Sequence, residues 1–408
     1  MADEKGAKEE ARSAKAEAGR AAKQEAKQPA KPRLVIATDN FLPRWDGIAR
    51  FLAEIIPRLL EEYDITVISP DYGITPLDMR VRRVLIPTRS KQYGDYTPAR
   101  WEPEPIRAAV AEADIVFCQT IGPVGWLAQR YARKLKKPLV AFIHNIEWEL
   151  VPKAVDVPFL KRLAYPLTKL VTRYLYNRCD LLVMPSENIA EMFSWQRIRT
   201  PKRVVHLGVD PKRFVKGDKE AAKRQLKIPQ AAVVVGFHSR LAHEKNLLTL
   251  SRAYLRLKAK EKRLLLVGDG VPELKAKLKR VPGAIVPGPQ EDVVPYLQAM
   301  DIYVMPSFTE TTSLAVLEAM SCELPVVSSP VGFIQQYIKH GENGFFFETK
   351  NAYELAGKLQ QLAEDEQLRT KIGKAARKTV LEQFSWDKAA EGIAEALREM
   401  EKRPGKKK

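Results

Sequence analysis

Ten short apolar runs, each set among amphipathic stretches, constrain this chain more than any other feature. They are LVIAT (34–38), ITVIS (65–69), DIVFCQ (114–119), PLVAFIH (138–144) and LLVMP (181–185), then VVVGF (233–237), RLLLVG (263–268), AIVPG (284–288), DIYVMP (301–306) and LPVVSS (324–329). Strands that alternate with helical segments form parallel sheets with crossover helices. The rhythm pauses after residue 185 and restarts at 233, so the pattern predicts an α/β chain of two facing, Rossmann-like, doubly wound parallel-sheet lobes. Such lobes enclose a cleft at the C-terminal ends of both sheets, where folds of this kind bind ligands. An echo, DLLVMPS at 180–186 and DIYVMPS at 301–307, agrees at five of seven positions. Either chance or a comparable strand ending each lobe accounts for it.

The length of 408 residues and 45% hydrophobic content suit two cores. Residues 1–31 mix Ala, Lys and Glu without an aromatic or β-branched side chain, so they predict a disordered charged tail. The expected lobes are 32–206 and 207–384, with the join near His206 to Pro211. A helix over 385–400, apolar at Ala389, Ile393, Ala396 and Leu397, must pack on something, the first lobe included, and 401–408 form a basic tail. Of the net charge of +18, residues 1–31 hold +2 and residues 402–408 hold +5, which leaves +11 on the body. A basic body suits anionic lipid, nucleic acid or a phosphorylated ligand equally. Cys118, Cys179 and Cys322 lack CxxC spacing and nearby paired histidines, so neither disulfide framework nor metal site is expected. No run approaches the ~18 apolar residues of a spanning helix, and the charged N-terminus is no signal peptide, which predicts a cytoplasmic protein.

Glu310 precedes a segment that Thr312 or Ser313 can cap as a helix running to about Ser321, and Glu318 lies within it. Free amides and the positive end of the macrodipole coincide at a helix N-terminus, which suits phosphate, while the two carboxylates suit ligand hydroxyls. Spacing alone leaves equally open a solvated helix face with a loop charge before it.

With its surroundings the segment resembles the GT-B glycosyltransferases of the large retaining family 4. The resemblance rests on Glu310 and Glu318 separated by seven residues, Leu317-Glu-Ala-Met320, Pro325-Val-Val327, Gly332 and Gly341-Glu-Asn-Gly-Phe345, and it spans about residues 33–400. It implies transfer of a sugar, with retention and without a metal or other cofactor, from a nucleoside diphosphate donor that is UDP- or GDP-linked. Glu310 is implied to orient donor-sugar hydroxyls and Glu318 to bind ribose. The amides from Thr311 and Thr312 through Ser313 to Leu314, with Arg240 and Lys245, are implied to hold the diphosphate; two fixed cations suit the charge that builds on this leaving group. Gly47 is implied to lie over the phosphates, Asp46 either to face the acceptor or to begin a turn, and His144, at a strand end, to contact the sugar. Relatives commonly carry Gly-Phe-Gly where this chain has Thr311-Thr-Ser313, which leaves the sugar unread.

Two other classes fit less well. No GxGxxG follows a leading strand, against a nicotinamide-dependent oxidoreductase with two Rossmann lobes, and the basic residues lack a nucleic-acid recognition module. A final segment, 153–178, carries six basic residues and one acid, with Phe159, Leu163, Leu167, Leu170 and Tyr174 at helical spacing and Arg162, Lys169 and Arg173 on another face. It reads either as a helix packed on its own sheet and interrupted at Pro166, or as a membrane-surface element contacting anionic lipid through Lys161, Arg162, Lys169 and Arg173. Many relatives glycosylate lipids, so the expected acceptor is a lipid or lipid-linked glycan at the inner face of the cell membrane.

Overall fold

The computed structural model describes residues 30–402 except 45, 74–79, 91–96, 154–157 and 311, and describes no side chain within 152–162. The expected N-terminal tail, Thr311, and the side chains of Lys161 and Arg162 therefore lie outside the described residues.

Seven strands, β1 (Arg33–Ala37), β2 (Asp64–Pro70), β3 (Arg82–Ile86), β4 (Ile115–Cys118), β5 (Leu139–Phe142), β6 (Leu181–Met184) and β7 (Lys202–Val204), form one parallel sheet in the order β3-β2-β1-β4-β5-β6-β7. Six more, β8 (Val233–His238), β9 (Lys262–Val267), β10 (Ala284–Gly288), β11 (Ile302–Met305), β12 (Val326–Ser328) and β13 (Phe345–Phe346), form the second in the order β10-β9-β8-β11-β12-β13. Both orders reverse direction beside the first strand of the lobe, at β1/β4 and β8/β11, and such reversals open the crevice that receives ligands.

The helices are α1 (Gly47–Leu59), α2 (Pro103–Glu112), α3 (Pro123–Lys134), α4 (Glu147–Lys153), α5 (Pro158–Tyr176) and α6 (Glu187–Trp195) beside the first sheet, then α7 (Lys219–Gln225), α8 (Leu247–Arg256), α9 (Pro272–Lys279), α10 (Val294–Ala299), α11 (Leu314–Ser321), α12 (Ile334–Tyr337), α13 (Ala352–Glu364), α14 (Glu366–Gln383) and α15 (Trp386–Glu401). Helix α1 forms because Ile48, Phe51, Leu52, Ile55, Ile56 and Leu59 recur on one face and Asp46 caps its start. That face joins Leu34, Ile36, Phe117, Phe142 and Val183 in one core, and Trp386, Ile393, Leu397 and Met400 of α15 complete the same core. Helices α2, α3 and α6 cover the opposite face of the sheet. The last helix of the chain is thus packed on the first lobe.

The chain crosses between lobes twice, and the two crossings run side by side. Val209 N donates to Phe384 O at 2.9 Å, and Trp386 N returns to Val209 O at 3.4 Å. Gly208 is required there, since a Cβ would lie 2.3 Å from the carbonyl carbon of Ser385.

The sequence echo does not mark equivalent strands. β11 stands beside β8 at the switch point, whereas β6 lies between β5 and β7, away from its own. What repeats is a local device: Asp180 accepts from Leu139 N at 3.0 Å and Asp301 from Val234 N at 2.9 Å, each carboxylate receiving an amide of the neighbouring strand.

Candidate functional site

In the second lobe, β8 and β11 deliver their following loops to one place. The turn after β8 carries Arg240 and a single 3₁₀ turn, His243–Lys245. Lys245 Nζ meets Glu310 Oε1 at 2.6 Å, and Ser307 Oγ donates to the same oxygen at 2.6 Å. Both members of the pair are about nine-tenths buried, with side-chain exposures of 11% and 9%. Asn246 Nδ2 donates to Pro306 O and Phe308 N to Glu244 O, so one side-chain and one backbone bond tie the two loops together. Gly270 lets the β9 turn close on this structure, because a Cβ would lie 2.3 Å from Leu241 O. Arg240 stands apart: its side chain is 78% exposed and pairs with Glu244 at 3.1 Å, rather than joining Lys245.

Helix α11 begins at Leu314 with Ser313 in the N-cap position, but no side chain caps it. Val316 N and Leu317 N turn back to Ser313 O at 3.1 and 3.2 Å, and a helix start without a side-chain cap among the described residues suits an anion. Ser313 itself is buried, and the Thr312 hydroxyl is buried without a hydrogen-bond partner. Glu318, four residues after Leu314, is not on a solvated face. It is 2% exposed, and His238 Nε2 lies 2.7 Å from its Oε2 while Arg50 of the first lobe donates to its Oε1. Burial, with the Arg50 cation nearby, pushes the His238 pKa down to about 3, so His238 is a neutral donor here.

In the first lobe, Asp39 at the end of β1 is buried and ties that strand end to the next. Its carboxylate accepts from Thr120 Oγ1 at 2.6 Å, Val124 N at 2.9 Å and Gly125 N at 3.1 Å, capping α3 from a distance. Asp46, for which an acceptor contact and the start of a turn stood open, begins the turn into a helix. Its Oδ1 accepts from Ile48 N and Ala49 N, both at 2.9 Å, so it is the N-cap of α1. Gly47 opens that helix, and a Cβ there would meet nothing within 4 Å, which leaves the approach to its backbone clear. His144 stands half-buried against Phe51 and Phe142, ring centroids 4.9 and 4.5 Å away, with Nε2 2.9 Å from Gln119 Oε1. Burial pushes its pKa down to about 3 as well.

Helix α5 runs through Pro166 without a break. Thr172, Leu175 and Tyr176 face the protein, while Leu163, Leu167, Leu170 and Tyr174 are each half or more exposed. The stripe therefore does not pack on its own sheet. Lys169 and Arg173 flank it, and Trp195 and Arg197 line a shallow groove with Leu170 beside them. Asn177 fixes this groove wall to the end of α5, through Nδ2 to Arg197 O at 3.0 Å and Oδ1 from Arg199 N at 2.6 Å. Among the described residues no helix is long and apolar enough to cross a membrane, and no group of three or more His, Cys, Asp or Glu side chains is placed to hold a metal.

Comparison with known proteins assigns this architecture. The family described as Glycosyltransferase Family 4 matches residues 45–213, and that described as Glycosyl transferases group 1 matches 232–365, one on each lobe. The chain belongs to the group 1, or family 4, glycosyltransferases. A GDP-mannose-dependent α-mannosyltransferase of Mycolicibacterium smegmatis is 27% identical over 365 residues, covering 86% of this chain and 92% of that protein. An N-acetyl-α-D-glucosaminyl L-malate synthase of Bacillus anthracis is 28% identical over 225 residues, 53% of this chain and 55% of that one, so the chain spans about half the length of that relative. Anabaena HepE, in a structure with UDP, shares the fold at a TM-score of 0.74 and 20% identity over 90% of this chain and all of the other. These are GT-B lobes.

Within this fold, the sequence motifs single out Glu310, Glu318, Lys245, Gly47 and His144, but not the side chains that touch them: Ser307 on Glu310, Arg50 and His238 on Glu318, and Gln119 on His144. His238 had a readable signal, since VVVGFH ends in a histidine as PLVAFIH does. Glu147 was also passed over. It opens α4 and is held by the Tyr176 hydroxyl, with its second oxygen buried and unpartnered, and burial raises its pKa to about 7. A folded-state pKa above the ordinary 4.5 favours the protonated fold, so this stabilisation is complete below about pH 4.5 and lost as pH rises through 7. Glu147→Gln is accordingly expected to melt higher than wild type at pH 8, by on the order of a few degrees, and equal to it near pH 4.5. Differential scanning at the two pH values isolates this group, because the contributions of His144 and His238 are common to both proteins and cancel in the difference. A constant offset across pH contradicts the assignment.

Proposed function

We propose that this chain is a retaining, metal-independent glycosyltransferase that moves a sugar from a UDP- or GDP-linked donor to a hydroxyl of a lipid or lipid-linked glycan at a membrane surface. The observation that carries the reading is the meeting of Lys245, Glu310 and the uncapped start of α11 at the β8/β11 switch point. The donor diphosphate rests on the α11 amides, with Lys245 and the outlying, freely exposed Arg240 against its charge. Glu310 orients the sugar hydroxyls, Glu318 takes the ribose diol, and His144 contacts the sugar from the other lobe. The bond from the anomeric carbon to the phosphate oxygen breaks while the acceptor oxygen attaches on the same face, and the acceptor proton passes to that phosphate oxygen. Names of the relatives include a GDP-mannose and a UDP ligand, which support both nucleotides as candidates.

The exposed stripe of α5, with Lys169 and Arg173 beside it and Trp195 nearby, supports docking on anionic lipid and hence a lipid acceptor. Thermal protection by UDP or GDP, and none by NAD, is the expected result; protection by NAD alone overturns the transferase reading. Flotation with anionic vesicles tests the membrane part. Binding that falls about tenfold or more on neutralising Lys161, Arg162, Lys169 and Arg173 together is expected, and no binding by the wild type rejects it.

A further inference from the structure

Arg50 and Glu318 are 268 residues apart and belong to opposite lobes. Arg50 sits one helical turn into α1, past Gly47, and reaches across to α11. With Arg50 on one carboxylate oxygen and His238 on the other, Glu318 is left 2% exposed. A carboxylate in that state cannot accept from an incoming pair of hydroxyls unless one neighbour withdraws. His238 is fixed at the end of β8, its own carbonyl bound by Tyr303 Oη at 3.2 Å, whereas Arg50 is a long side chain with 24% exposure on a helix of the other lobe. Arg50 is the neighbour that can leave, and its departure also releases a polar tie between the lobes.

We infer that Arg50 is a positioning residue of the nucleotide site, supplied by the opposite lobe: its bridge to Glu318 closes the ribose position, and a nucleoside diphosphate enters by displacing it. The inference rests on the reading of Glu318 as the ribose acceptor. Two contacts are exchanged in the displacement, guanidinium to carboxylate for diol to carboxylate, so nucleotide affinity is reduced by the fraction of molecules in which the bridge is shut. Leu314 packs against the first-lobe core independently of the bridge, so the lobes keep an apolar contact when it opens.

The test is calorimetric titration of UDP and GDP into the full chain as wild type, Arg50→Ala, Arg50→Lys, Glu318→Gln and the Arg50→Ala/Glu318→Gln double variant, with small-angle scattering of each protein without nucleotide. A bridge shut most of the time predicts that Arg50→Ala tightens nucleotide binding about three- to tenfold. It also predicts a larger radius of gyration. Arg50→Lys, which keeps the charge, returns toward wild type, and the gain is absent in the Glu318→Gln background. Unchanged or weaker binding by Arg50→Ala overturns the inference. If the wild type binds neither nucleotide, the donor assignment fails by itself, and scattering alone then decides the bridge: expansion of Arg50→Ala supports a closure contact and an unchanged radius removes it.

Discussion

Lys245→Met is expected to stop transfer and to destabilise the fold in the same step. The Lys245 ammonium and the Glu310 carboxylate are both about nine-tenths buried and lie 2.6 Å apart, so each is the other's principal charge partner. Removing one member of a buried pair strands the other in a medium that solvates it poorly, at a cost of about 3–5 kcal/mol. Ser307 Oγ still donates to Glu310, which relieves only part of this. Transfer also loses a cation set against the developing diphosphate charge, about 10²–10³ in rate by analogy with other fixed electrostatic donors. The two effects separate in a double variant. Lys245→Met/Glu310→Gln removes both charges and is expected to recover most of the lost stability in urea unfolding while remaining inactive. Glu310→Gln alone is expected to slow transfer, and the wild type during turnover to show no glycosyl adduct on Glu310 by mass spectrometry. Should Lys245→Met transfer within tenfold of wild type, the lysine is a structural counter-ion and the diphosphate is held elsewhere.

Central strands were legible in the sequence because burial on both sides leaves nothing but apolar residues to write them with. Of the edge strands, β10 (AIVPG) was legible as well, but β3, β7 and β13 were not, since RRVLI, KRV and a two-residue FF carry no such signal and form by pairing with a neighbour. The site divides in the same way. Glu310, Glu318, Lys245, Gly47 and His144 sit in local motifs, so their positions could be read. Who pairs with whom could not: that Lys245 meets Glu310, that His238 and Arg50 hold Glu318, and that Gln119 holds His144 depend on which strand ends the topology brings together. Asp46 stood open between facing the acceptor and beginning a turn; Asp followed by an apolar-periodic helix is a cap signature in its own right, and its Oδ1 does cap α1. For α5 the periodicity correctly exposed a stripe, but the sequence does not say which face of a helix its neighbours take.

Trp386→Ala is expected to unfold the first lobe more readily although residue 386 follows the whole of the second. Trp386 is 1% exposed and lies at the start of α15, edge-on to Phe51 with ring centroids 6.3 Å apart. Truncating a buried Trp removes its transfer energy and leaves a cavity, together about 3–5 kcal/mol. The cavity opens beneath Phe51, which packs on Phe142 at 4.5 Å and on His144 at 4.9 Å, so the side chain proposed to meet the sugar loses its backing. Transfer should therefore fall further than nucleotide affinity, which belongs to the other lobe. Trp386→Phe keeps an aromatic surface on Phe51 and should recover most of both losses. Since Val209 pairs with Phe384 and Trp386 across the two crossings, loosening α15 also frees the only described backbone ladder that joins the segment at residue 209 to the chain's final helix. Urea unfolding followed by the fluorescence of the remaining tryptophans reads the stability. A loss of about 0.5 kcal/mol or less, as at surface positions, would mean that α15 covers the first sheet without holding it, and that the first lobe is stable on residues before 206 alone.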